Sequence, residues 1–111
     1  MASADNERMA RMAELDIDPA QLEAYRQRLS EEIEASVALE PGVLMLHAVA
    51  LKDEPGKIRI LEVYASRRDY EAHLQTPHFL RYKNLTAGMI RSLTLVDVDP
   101  VAMCAQPATA S

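Results

Sequence analysis

The run His73-Leu74-Gln75-Thr76-Pro77-His78-Phe79 carries two of the three histidines of this chain, set on either side of a helix-start signal. Imidazole, with an ordinary pKa of about 6.5, both takes and gives protons near neutrality. Thr76 is suited to cap a helix whose first residue is Pro77. Its oxygen can accept an orphan backbone N–H, and proline lacks a donor that would be unpaired there in any case. His73 then ends one helix and His78 opens the next. Such a corner can aim both imidazoles at one substrate proton; it fits equally a pair of imidazoles that are simply packed or solvated.

His47 is the one strongly polar residue in Val43 to Leu51, and Glu62 is the one carboxylate in Lys57 to Ala65. A four-residue turn, Asp53 to Gly56, that sets Lys52 opposite Lys57 brings His47 directly opposite Glu62 on one sheet face. A carboxylate beside an imidazole fixes its tautomer and raises its basicity, as a general base requires. The same spacing suits a pair that only satisfies itself within the sheet. Tyr64 shares the strand face of Glu62 and in this register faces Met45. With Tyr70, Phe79 and Tyr82 it can line a partly apolar pocket for a small aromatic ligand, or it can be ordinary core. The acidic run Glu31, Glu32 and Glu34 reads as a solvated helix face with no chemistry assigned.

Other chemistries are poorly represented. The three glycines form no phosphate-binding loop, and neither H-E-x-x-H nor G-x-S-x-G occurs. Cys104 is the only cysteine, so no internal disulfide can form and no clustered Cys/His metal site is visible. No metal and no cofactor is expected. A formal net charge of −5, without a basic cluster interleaved with aromatics, argues against nucleic-acid binding. The first eight residues contain no apolar leader, and no stretch has the length of a membrane span, so a cytoplasmic protein with no membrane contact is expected.

The elements that must position these residues follow from periodicity. Residues 8–17 tend to alternate, as a strand does. Asp18 and Pro19 start a helix whose stripe runs Leu22, Tyr25, Leu29, Ile33 and Val37. Glu40-Pro41-Gly42 breaks it. Val43 to Leu51 and Lys57 to Ala65 form a hairpin, and Ser66 with Asp69 begins a short helix through about Gln75. Thr76-Pro77 opens another, and Ser92 to Asp99 is the last strand, ended by Pro100. The order strand, helix, strand, strand, helices, strand predicts a ferredoxin-like α+β domain over residues 8–100, a split β-α-β sandwich with an antiparallel sheet. Helices cover only one face of such a sheet. The apolar second face of the hairpin calls for a cover, and a second copy of the chain is the simplest one. Residues 1–7 and 101–111 are expected to be flexible or to contact a partner.

Five pieces of wording, in order, resemble the antibiotic-biosynthesis monooxygenase family, in particular its small bacterial quinol monooxygenase branch. They are Glu31 to Ser36 with Leu39 to Leu44, Ile60-Leu61-Glu62-Val63-Tyr64, Tyr70 to Phe79, and Ser92 to Asp97. The resemblance implies a dimeric α+β barrel and oxidation of electron-rich phenols or quinols by dioxygen without metal or flavin. For such a reaction His47, or failing it His73 or His78, is expected to remove a phenolic proton, with Glu62 orienting the base and Tyr64, Tyr70, Phe79 and Tyr82 bounding the pocket. The absence of Trp departs from the haem-degrading relatives and from those that oxidise large polyketides. Relatives that isomerise or degrade small carbonyl compounds supply an alternative, which needs an anion-binding Arg such as Arg11, Arg59 or Arg81. A non-catalytic dimeric ligand-binding module is a further one.

Overall fold

The computed structural model describes residues 7–107. Four strands and three helices follow in the order β1 (Met9–Ile17), a single 3-10 turn (Pro19–Gln21), α1 (Leu22–Leu39), β2 (Val43–Ala50), β3 (Lys57–Tyr64), α2 (Arg67–His73), α3 (Pro77–Thr86) and β4 (Ile90–Val98). The sheet order is β2-β3-β1-β4, all pairs antiparallel, which is the ferredoxin-like α+β arrangement. Asp18 does cap the start of the first helical segment, accepting from Ala20 N, but that turn is 3-10 before α1 begins at Leu22.

Alternation along β1 turns Ala13, Leu15 and Ile17 toward the helices, where they pack with Ile58 and Ile60 of β3 and with Tyr25 and Leu29 of α1. Each large aliphatic side chain so buried contributes about 1.5–3 kcal/mol. A second cluster of Val43, Leu46 and Tyr64, with Ile33 and Tyr70 beside it, closes the other end of the sandwich. The stripe of α1 drifts from the expected one. Its buried positions are Tyr25, Leu29, Glu32 and Ser36, whereas Val37 is 52% exposed.

The hairpin register differs from the expectation by one residue. Leu51 N donates to Lys57 O, so the loop holds five residues, Lys52 to Gly56, rather than four. His47 therefore pairs with Leu61, and Leu46 takes the place opposite Glu62. A one-residue slip exchanges the faces of a strand, so His47 is exposed on the side away from the helices, while Glu62 faces them. An irregularity between Val43 and Met45 shifts the pairing once more, placing Tyr64 opposite Val43 rather than Met45.

The uncovered face carries Met12, Met45, Val49, Leu61 and Val96 by strand alternation and cross-strand pairing. Two short caps fix the helical corner on the opposite side. Ser66 Oγ accepts from Asp69 N, and Thr76 Oγ1 accepts from Phe79 N while donating to His73 O at 2.8 Å. Gly42 permits β2 to start against α2, because a Cβ there would fall on the Asp69 side chain. The regular elements end at Val98, and Val101 is almost wholly exposed. Of the termini expected to be flexible or partner-contacting, residues 1–6 and 108–111 lie outside the described residues, and 101–107 form no helix or strand.

Candidate active site

Three elements bring the site together. Helix α1 supplies Glu32 and Ser36, the break after it supplies Glu40, and the α2–α3 corner supplies His73 and His78. His73 is buried (3% exposed) and lies between two carboxylates, with Nδ1 2.9 Å from Glu40 Oε2 and Nε2 3.4 Å from Glu32 Oε1. The same Glu40 oxygen is 2.6 Å from His78 Nε2. One carboxylate oxygen thus accepts from both imidazoles. Burial works to raise Glu40, but the hydrogen bonds from His73 and His78 outweigh it and hold the carboxyl below its ordinary range. Glu32 is anchored by its neighbour one turn on, since Ser36 Oγ reaches Glu32 Oε1 at 2.6 Å.

Aromatic rings wall this cluster. His73 meets Tyr64 at 5.5 Å and Phe79 at 5.0 Å between ring centroids, Tyr64 meets Tyr70 at 5.2 Å, and Phe79 meets Tyr82 at 6.1 Å. Tyr64 donates to Glu62 at 2.5 Å, and Tyr25 and Tyr82 share a 2.6 Å bond. Burial pushes the Tyr25, Tyr64 and Tyr82 phenols up, which keeps them neutral donors. It also raises Glu62, against the opposing bond from Tyr64. Arg11 lies over the Tyr70 ring, bonds its hydroxyl and pairs with Asp97 at 3.0 Å.

A cavity of about 180 Å³ between α1 and α3 reaches the cluster. Glu32, His78, Tyr82 and Leu85 line it, with Arg28 and Arg81 also in its wall. A cavity of about 150 Å³ is enough for benzene, so this one suits a single ring.

Of the residues expected at the site, His73, His78, Tyr64, Tyr70, Phe79 and Tyr82 are gathered on the helix side of the sheet, and Glu62 lies there too. His47 does not join them. Its face of the sheet points away, and the expected His47–Glu62 pair is replaced by Tyr64–Glu62. Sequence reasoning passed over Glu32 and Glu40. The first belongs to a run with the charge pattern of a solvated face, the second to a helix-breaking turn. A signal for Glu32 was present, because 25, 29, 32 and 36 keep helical spacing as well as the apolar stripe does. The fold also gathers a His/Glu group that spacing along the chain did not reveal: Glu32, His73 and His78 present ligand atoms within 4.8 Å of one another.

The fold has known counterparts. The family model for antibiotic biosynthesis monooxygenases matches residues 8–85. The chain belongs to this family. As a member of the antibiotic biosynthesis monooxygenase family it is similar to a solved structure from Bacteroides thetaiotaomicron, provisionally named an antibiotic biosynthesis monooxygenase. Identity is 44% and the TM-score 0.87, over 92% of this chain and 97% of that one. A provisionally named family member from Caulobacter crescentus shares the fold at 22% identity and a TM-score of 0.82, over 89% and 94% of the two chains. One from Nitrosomonas europaea does so at 20% and 0.80, over 90% and 96%. No curated protein sequence matches the chain. Family membership supports an enzyme of the monooxygenase class, and no helix among the described residues is long and apolar enough to cross a membrane.

Proposed function

We propose that this protein is a cofactor-independent monooxygenase that oxidises a small quinol or phenol with dioxygen. The observation that carries the reading is the shared Glu40 oxygen, which holds two imidazoles in fixed tautomers beside a ring-sized cavity. With Nε2–H of His78 given to Glu40, the other ring nitrogen is the basic one. A phenol ionises near pH 10 and an imidazole near 6.5, about, so the transfer needs a site that stabilises the phenolate. His78, which lines the cavity, takes the phenolic proton; buried His73 and Glu40 position it. Tyr82 is a neutral hydroxyl in the same wall, suited to bond the phenolate oxygen.

The electron-rich phenolate then reduces dioxygen, with the substrate itself as electron source. A carbon–oxygen bond forms to give a ring hydroperoxide, the O–O bond breaks with loss of water, and a hydroxyquinone remains. One quinol and one dioxygen give one hydroxyquinone and one water. Glu62, Tyr64, Tyr70 and Phe79 are not in the cavity wall; Tyr64 and Phe79 pack on His73 behind it. The uncovered sheet face with Met12, Met45, Val49 and Leu61 supports a homodimer, which sedimentation of the wild type against Val49→Lys would test.

The functional test is oxygen uptake with a series of single-ring hydroquinones. Uptake matched by hydroxyquinone, and lost in His78→Ala, is expected. No uptake with any quinol, or equal uptake by wild type and variant, would overturn the reading. The guanidinium group of Arg81 at the cavity favours a second one, proton transfer on a small carbonyl anion. Arg11, Arg28 and Arg59 are already engaged with Asp97, Glu31 and Glu14. Turnover that persists without oxygen would select it.

A further inference from the structure

We propose that Glu32, His73 and His78 form a binding site for a divalent transition-metal ion of the zinc type. Their ligand atoms lie within 4.8 Å of one another, and two of the three residues are buried, with Glu32 6% and His73 3% exposed. A chance pairing of surface side chains does not produce that burial.

One distance inside the cluster matches two ligands of a shared metal ion, a range that plain ion pairs such as Arg59–Glu14 also span. His73 Nε2 stands 3.4 Å from Glu32 Oε1, longer than the roughly 2.7–2.9 Å of a charge-assisted hydrogen bond. Bonds of about 2.0–2.1 Å to a tetrahedral zinc ion put neighbouring ligand atoms about 3.3–3.4 Å apart. On its other side, His73 Nδ1 donates to Glu40 at 2.9 Å. That leaves Nε2 of the neutral ring as a lone pair facing a carboxylate oxygen: two acceptors with room for a cation between them. Glu40 is then the outer-shell carboxylate that fixes the tautomer of a ligating histidine. Ser36 does the same for Glu32 from 2.6 Å.

Charge and access point the same way. Glu32 and Glu40 bring two carboxylates to two imidazoles that are uncharged as ligands, so a dication balances the cluster. Imidazole and carboxylate donors without a thiolate suit zinc, cobalt, nickel or ferrous iron rather than a soft monovalent ion. The cavity between α1 and α3 has Glu32 and His78 in its wall, which provides an entry path and an open coordination position.

This inference goes beyond the proposed oxidation, because the two uses compete. An ion on the imidazoles takes the lone pair that a proton acceptor needs. The full-length protein, stripped with chelator and desalted, would be titrated with Co2+ and followed by its visible absorption, with Zn2+ used to displace it. Saturable binding of one ion per chain with an intense four-coordinate spectrum is expected. Affinity should fall at least tenfold in His73→Gln and in His78→Gln, and by about 10- to 100-fold in Glu40→Gln. His47→Gln should bind as wild type. Circular dichroism identifies any variant that fails to fold, and His78→Gln, at the cavity wall, keeps the test open if the buried His73 variant does fail. Absence of a saturable cobalt signal, or a signal unchanged in His78→Gln, would overturn the proposal. The spectrum requires no turnover. A cobalt site in a protein that consumes no oxygen would sink the oxidation reading alone, and oxygen uptake without cobalt binding would sink this one alone.

Discussion

Glu40 Oε2 lies 2.9 Å from His73 Nδ1 across 33 residues of chain. That bond ties the break after α1 to the end of α2 and makes a helix-terminating residue part of the site. The same oxygen reaches His78, so removing its charge acts on both imidazoles together.

Glu40→Gln should lower quinol turnover by about 10- to 100-fold, a share of what a positioned acid–base group supplies. Because Glu40 acts through the histidines, the loss should fall on kcat more than on KM, and the acid limb of the pH profile should move. Glu40→Asp should recover part of the rate. Steady-state oxygen uptake across pH checks all three outcomes, and an unchanged profile with a raised KM alone would remove the positioning role.

The three histidines should separate cleanly. His78→Ala should lose about 10²–10⁴ in rate with its melting temperature nearly kept, since that is the span of general-base catalysis. His73→Ala should lose rate and also about 1–3 kcal/mol of stability, because Glu40 loses its 2.9 Å bond and a buried ring packed on Tyr64 and Phe79 is removed. His47→Gln should keep turnover within about twofold, as its side chain is on the other face of the sheet. Urea unfolding beside kinetics distinguishes them, and a His47 variant as slow as the His78 one would contradict the register.

Thr76 holds the corner that sets one histidine against the other. Thr76→Val removes the acceptor for Phe79 N and the donor to His73 O at almost constant volume. A loss of about 1 kcal/mol is expected from the missing cap. Thr76→Ser should restore it. Equal urea midpoints for wild type, Val and Ser would show that the cap carries no stability.

Glu62 predicts a pH dependence of opposite sign to that of a salt-bridged carboxylate. Burial raises its pKa in the folded chain above the unfolded value, against the hydrogen bond from Tyr64. The folded state therefore holds its proton longer. Its stabilising contribution is full below the ordinary carboxylate pKa, about 4.3, and is lost as pH rises through the raised value. Glu62→Gln keeps an acceptor for Tyr64 and cannot ionise. The difference in urea midpoint, variant minus wild type, should grow with pH across that window and then level off. Parallel pH curves for the two proteins would refute the shift.

Local chemistry made most of the elements legible from sequence. Asp18 before Pro19, Ser66 with Asp69 and Thr76 before Pro77 marked three helix starts, and each side chain makes the capping bond its type allows. The spacing of Tyr25 and Leu29, and the alternation of β1, told which faces are buried. The family wording told which corner bears the histidines. Sequence by itself thus determined the elements, their ferredoxin-like order and the placing of His73 and His78 around a cap, because these depend on contacts within a few residues of chain. Tertiary structure alone decided the hairpin register, where one extra loop residue sent His47 to the far face. It alone brought Glu32 and Glu40 to the imidazoles. A carboxylate's partner is set by which elements pack together, and periodicity along one helix carries no record of what will face it.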